Sequence, residues 1–121
     1  MYKLRRVDIE RVPEILRRLE EYVGALVEEL NPHLVILFGS FARGEDINEG
    51  SDIDLLVVAD FQEDFLGRIG RMMRMNRFKI PVEPVGYTPE EFMEMIEKRN
   101  PFILDVLERG RIIYKNETLQ P

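Results

Sequence analysis

Apolar residues at Val12, Ile15, Leu16, Leu19, Val23, Leu26, Val27 and Leu30 recur at steps of three and four. That spacing puts them on one stripe of a long amphipathic helix. Asp8 is the expected N-cap and Asn31-Pro32 the expected stop, because the residue before a proline resists helical geometry. The pattern then changes. Leu34-Val-Ile-Leu-Phe38 is a short unbroken apolar run between turn signals, which predicts a buried strand. Gly39-Ser40 turns the chain, Phe41 to Arg43 fits a single helical turn, and Gly44 to Gly50 reads as a polar loop. Ile53 to Val58 repeats the buried-strand signature, and Phe65, Leu66, Ile69, Met72 and Met73 predict a helix from near Glu63 onward.

Pro81-Val-Glu-Pro-Val-Gly-Tyr87 reads as a third strand, which its prolines push to a sheet edge. Thr88-Pro-Glu-Glu91 carries a capping box with Pro at the first helical position, so a helix runs from there to near Arg99. Asn100-Pro101 starts another, bearing Phe102, Ile103, Val106 and Leu107, with Gly110 at its stop. Arg111 to Tyr114 is a last short strand, followed by a frayed tail. Helices interleaved with strands predict an α/β or α+β fold, a small sheet with helices packed on it.

Composition narrows the class. With 121 residues, 45% hydrophobic and 33% charged, the chain fits one soluble globular domain over 1–121. Its net charge of −6 argues against a nucleic-acid-coating surface. The lack of cysteine excludes disulfides and thiolate chemistry and fits a cytoplasmic setting. No apolar run approaches the roughly 18–20 residues that span a bilayer, and no signal-peptide segment opens the chain.

The chemistry concentrates at residues 39–58. In strand geometry Asp52 and Asp54 project to one face, about 7 Å apart. Two carboxylates at the start of a hydrophobic strand repel each other, and a divalent metal is the natural neutraliser. Gly39-x4-Gly44 opens like a P-loop, but Glu45-Asp46 stands where Lys-Ser/Thr must follow. Asp46 onward resembles a calcium loop, but its sixth position is Ser51 instead of Gly and its twelfth is Val57 instead of Glu. Both fail. What remains is a phosphate-gripping turn at Gly39-Ser40 beside a metal-binding pair, Asp52 and Asp54, suited to Mg²⁺. Two such ions would serve an in-line displacement at phosphorus.

Gly39-Ser40-x-Ala42-Arg43-Gly44 followed by Ser51-Asp52-Ile53-Asp54-Leu55 resembles the signature of the DNA polymerase beta nucleotidyltransferase superfamily. The short chain is most similar to its minimal members, with the resemblance spread over 8–114 and concentrated in 38–58. The spacer of eleven residues, Phe41 to Ser51, is one longer than the family pattern. The resemblance implies a third metal carboxylate on a neighbouring strand. Glu83 matches it, where the family more often has Asp. It further implies two Mg²⁺ ions held by Asp52, Asp54 and Glu83, ATP as co-substrate, and Gly39 and Ser40 on its phosphates. Glu83 would help deprotonate an acceptor hydroxyl, and pyrophosphate would leave.

Other features stay open between two readings. Arg43 either contacts phosphate or pairs with Glu45 or Asp46, and Ser51 either touches nucleotide or caps the loop. Arg68, Arg71, Arg74, Arg77 and Lys79 read as a solvated helix face, with a docking surface for an acidic partner as the alternative. Met72, Met73, Met75, Met93 and Met95 read as core filler, and His33 as unremarkable. In the minimal branch the resemblance implies a protein acceptor, namely a tyrosine of a HEPN-type toxin that the chain restrains as antitoxin. The competing function is a non-catalytic antitoxin that keeps the fold and acts by binding alone. An edge strand near Tyr114 leaves homo-oligomers open.

Overall fold

The computed structural model describes residues 2–43 and 52–116. The polar loop with Glu45 and Asp46, Ser51 and the tail from Glu117 lie outside the described residues. The first helix, α1 (Tyr2–Leu30), starts earlier than expected: Asp8 lies inside it, and the helix continues through Pro13. Tyr2 to Val7 contains no glycine or proline, so nothing local stops the helix from extending past Asp8. It ends as predicted at Asn31, which takes a left-handed φ of 46°.

Strand β1 (Leu34–Phe38) leads into the single turn α2 (Ser40–Arg43), then β2 (Ile53–Val58), α3 (Phe65–Arg74) and β3 (Val82–Tyr87). Helices α4 (Pro89–Glu97) and α5 (Pro101–Arg109) precede β4 (Arg111–Lys115). The sheet order is β3-β2-β1-β4. β1 pairs antiparallel with β2 and β4, while β2 and β3 run parallel. The proline-bearing β3 is therefore an edge, as Pro84, with no amide hydrogen, requires. Thr88 caps α4 through the full capping box with Glu91.

Alternation along the strands divides the core into two layers. Val35, Leu37, Ile53, Leu55, Val57 and Val82 face α1 and α3, packing on Leu19, Tyr22, Leu26 and Met72. Leu34, Ile36, Leu56 and Val58 face α4 and α5, packing on Phe92, Ile103 and Val106. Tyr22 is fully buried and donates its hydroxyl hydrogen to the Met72 carbonyl at 2.7 Å, which pins α1 to α3. Burial holds that phenol protonated, with its pKa well above the usual value.

Two expectations change. Arg68 is not solvated: it is only 7% exposed, with Nη1 and Nη2 donating to the Glu91 carboxylate at 2.6 and 3.2 Å. Its remaining donors reach the Glu63 and Gly86 carbonyls, and Phe61 lies under its plane. A buried charge is tolerable only with extensive pairing of this kind. Met73 and Met93 are exposed, unlike Met72. Among the described residues, no helix is long and apolar enough to cross a membrane.

Candidate active site

Sheet register assembles the candidate residues. Phe38 lies opposite Asp54 on the antiparallel ladder, and Asp54 lies opposite Glu83 on the parallel one. Residues opposite each other share a face, so the three form a lateral row across β1, β2 and β3. The next row, Ile36, Leu56 and Val85, belongs to the α4/α5 core, so the carboxylates stand at its open end. The amide of Ile53 donates to the Pro81 carbonyl at 2.7 Å, holding the starts of β2 and β3 level. Asp52, one residue before β2, and Glu83 are exposed; Asp54 is half-buried.

These acids are close enough to perturb one another. Glu83 has its pKa raised above the usual carboxylate value, first by a hydrogen bond with Asp52 and then by the Asp52 charge. Partial desolvation and the Asp54 charge push the same way. A proton kept on Glu83 and hydrogen-bonded to Asp52 is how like charges settle without a cation. Among the described residues, no three acidic or histidine side chains stand as a ready-made metal cage. The donor set nonetheless fits a divalent cation: hard carboxylate oxygens, crowded on one face, with repulsion that a cation would relieve.

Gly39 completes this corner. It has φ of +76°, the left-handed region that favours glycine. A Cβ there would collide with the Asp54 carboxylate, so the missing side chain is what lets the turn lie against the acid. The Ala42 amide donates to the Gly39 carbonyl at 3.1 Å, closing the turn that starts α2 at Ser40. Arg43 ends α2. The Gly39-Ser40 turn thus sits on the β1 side of the aspartates and Glu83 on the β3 side.

The aromatic wall beside these acids has no counterpart among the sequence expectations. Phe38 and Phe102 meet edge to face, 5.5 Å between ring centres, beside Asp54. With Ile69, Met73, Val85 and the Asp54 and Glu83 carboxylates they line a recess of about 430 Å³. Met73 and Phe102 are exposed at its mouth, and nothing local in the sequence reports their convergence.

Comparison with known proteins agrees with this geometry. The family described as "Polymerase beta, Nucleotidyltransferase" matches residues 20–119. A Methanocaldococcus jannaschii protein named "Putative protein adenylyltransferase" is 32% identical over 100 residues, covering 81% of this chain and 96% of the relative. A solved structure from Sulfolobus solfataricus, described as "a putative nucleotidyltransferase", superposes with a TM-score of 0.61 at 26% identity. The match covers 91% of this chain and 88% of that one. With the family match spanning most of its length and this fold beneath it, the chain belongs to the polymerase beta nucleotidyltransferase family.

Proposed function

We propose that the chain transfers a nucleoside monophosphate, AMP from ATP, to a hydroxyl of a partner protein. The observation that carries this reading is the carboxylate row Asp54–Glu83, with Asp52 hydrogen-bonded to it, next to the left-handed turn at Gly39. Asp52, Asp54 and Glu83 are the residues that would hold two Mg²⁺ ions, which when bound supply charge stabilisation to the reacting phosphates. Gly39 admits phosphate close to the backbone, and Ser40 offers it a hydroxyl donor. Glu83, at the β3 end of the row, would take up the acceptor hydroxyl proton.

The acceptor side supports a protein target. Among the described residues, the recess beside Glu83 is lined by apolar side chains and the Asp54 and Glu83 carboxylates, which is poor ground for a polynucleotide. The name of the Methanocaldococcus jannaschii relative points the same way. On this reading the target is a HEPN-type toxin and the chain its antitoxin. The test is to incubate the protein with Mg²⁺, labelled ATP and the protein that co-purifies with it. Label and one nucleotidyl mass should appear on the partner, and Asp52→Asn/Asp54→Asn should abolish both. A partner that stays tightly bound to wild type and double mutant alike, with no transfer by either, would instead identify a non-catalytic antitoxin.

A further inference from the structure

Helix α3 carries more apolar surface than the core uses. Met72 is buried in the layer under α1, but Leu66 is 75% exposed and Met73 45%. Leu66, Ile69 and Met73 follow at steps of three and four, so they form one stripe along the helix. The stripe has a direction. Phe65, at the start of α3, meets Tyr87 with ring centres 5.7 Å apart, whereas Met73, near its end, shares the recess with Glu83. The helix therefore runs antiparallel to β3, and the stripe leads along that strand to the carboxylates. Phe102, 39% exposed, stands on the α5 side of the same recess.

Single exposed apolar residues need no explanation, but contiguous ones beside a reactive group do. Two features limit what can cover this patch. Strand addition at the β3 edge is blocked, because Pro84 has no amide hydrogen and the Gly86 carbonyl already accepts from Arg68 at 3.2 Å. The occupant must therefore bind through side chains. The recess also closes on Asp54 and Glu83, so whatever enters it meets the group that would receive the acceptor's proton. A protein that brings a hydroxyl to Glu83 this way lays its own surface over Met73 and Phe102, with Leu66 two turns farther along the same stripe. A second copy seated there would instead close the carboxylates to any acceptor.

We propose that the Leu66–Ile69–Met73 stripe and Phe102 are the recognition surface for the acceptor protein, selecting hydroxyls that apolar side chains flank. The inference rests on the reading that a protein hydroxyl is the acceptor at Glu83.

The probes are two labelled, end-blocked peptides, Leu-Ala-Tyr-Ala-Leu and Ser-Ala-Tyr-Ala-Ser, offered to the full-length chain. Anisotropy without ATP reads binding, and transfer from ATP with Mg²⁺ reads the reaction. The leucine peptide should bind roughly tenfold more tightly, the worth of burying about one leucine side chain. Leu66→Ser, at a site too exposed to endanger the fold, should erase most of that preference. It should raise KM for the leucine peptide with kcat and KM for ATP unchanged. Leu107→Ser, an exposed leucine on another face of α5 from Phe102, should change nothing. Failure of the leucine peptide to bind at millimolar concentration, equal binding of both peptides, or a preference that survives Leu66→Ser and Met73→Ser overturns the proposal. A raised KM for ATP in Met73→Ser would overturn it by assigning the recess to the nucleobase. A dimer of the chain alone that Leu66→Ser dissociates would do so by assigning the stripe to a second copy. The expected binding preference with no transfer to either peptide would uphold the surface and refute the reaction.

Discussion

Replacing Gly39 by alanine should destabilise the protein through two effects that can be separated. The φ of +76° is one that an L-residue holds at a cost of about 1–2 kcal/mol. The new Cβ also collides with the Asp54 carboxylate, and its ideal position is only 3.2 Å from the carboxylate carbon. Forced repacking of that kind costs roughly 1–3 kcal/mol. Together the loss is about 2–5 kcal/mol in Gly39→Ala. Removing the Asp54 carboxylate first relieves the collision and leaves the backbone strain. In an Asp54→Ala background the same glycine substitution should therefore cost only about 1–2 kcal/mol. Urea unfolding of the four proteins in chelator measures this cycle. Equal costs in both backgrounds would show that Gly39 does not lie against Asp54. No cost in either would refute the left-handed turn itself.

Three further outcomes are expected. Glu91→Gln should lower stability by about 1–2 kcal/mol, less than for a fully buried pair because the carboxylate is 45% exposed. The Arg68 hydrogen bond holds Glu91 below its ordinary 4.5, so its contribution is full above that value and disappears as pH falls through the depressed one. The variant should lack this part of the acid limb, and urea midpoints across pH 3–5 that fall in parallel would refute the assignment. Gly86→Ala should cost roughly 1–3 kcal/mol, because its Cβ would stand 2.7 Å from two Phe61 ring atoms and 3.1 Å from the Met72 methyl. An unchanged melting temperature would place Phe61 elsewhere. Mg²⁺ at about a hundred times its Kd should stabilise wild type by about 2.7 kcal/mol and leave Asp52→Asn/Asp54→Asn unchanged, as read by thermal unfolding with and without chelator. Equal shifts in both proteins would remove these aspartates as ligands.

What the sequence disclosed was local. The capping box at Thr88, the buried runs of β1 and β2 and the edge position of β3 rest on neighbouring residues or on proline's missing amide hydrogen. The two-residue period of a strand predicts one face for Asp52 and Asp54, although β2 starts only at Ile53. Glu83 differs. Its match came from resemblance, and its place opposite Asp54 depends on a ladder between strands joined through α3. Arg68 was illegible for the same reason: within a run of arginines it looks like its neighbours, and its burial depends on Glu91, 23 residues away. The start of α1 was misplaced because Asp8 has the side chain of a cap without standing at an end. The Phe38–Phe102 wall needed α5 folded back over β1, which no periodicity encodes.

The position of β1 bears on how the chain reaches its fold. It is one of two inner strands, yet one of its two neighbours is β4, and the Asn116 side chain donates to the Pro32 carbonyl 84 residues earlier, at 3.0 Å. While the protein is being synthesised, β1 and β2 can pair early, but the other side of β1 stays an uncovered edge until β4 has emerged. Such late, long-range closure slows folding and leaves an apolar strand open to wrong partners in the interval. A nascent chain halted before Arg111 is thus expected to engage chaperones that the finished fold no longer needs.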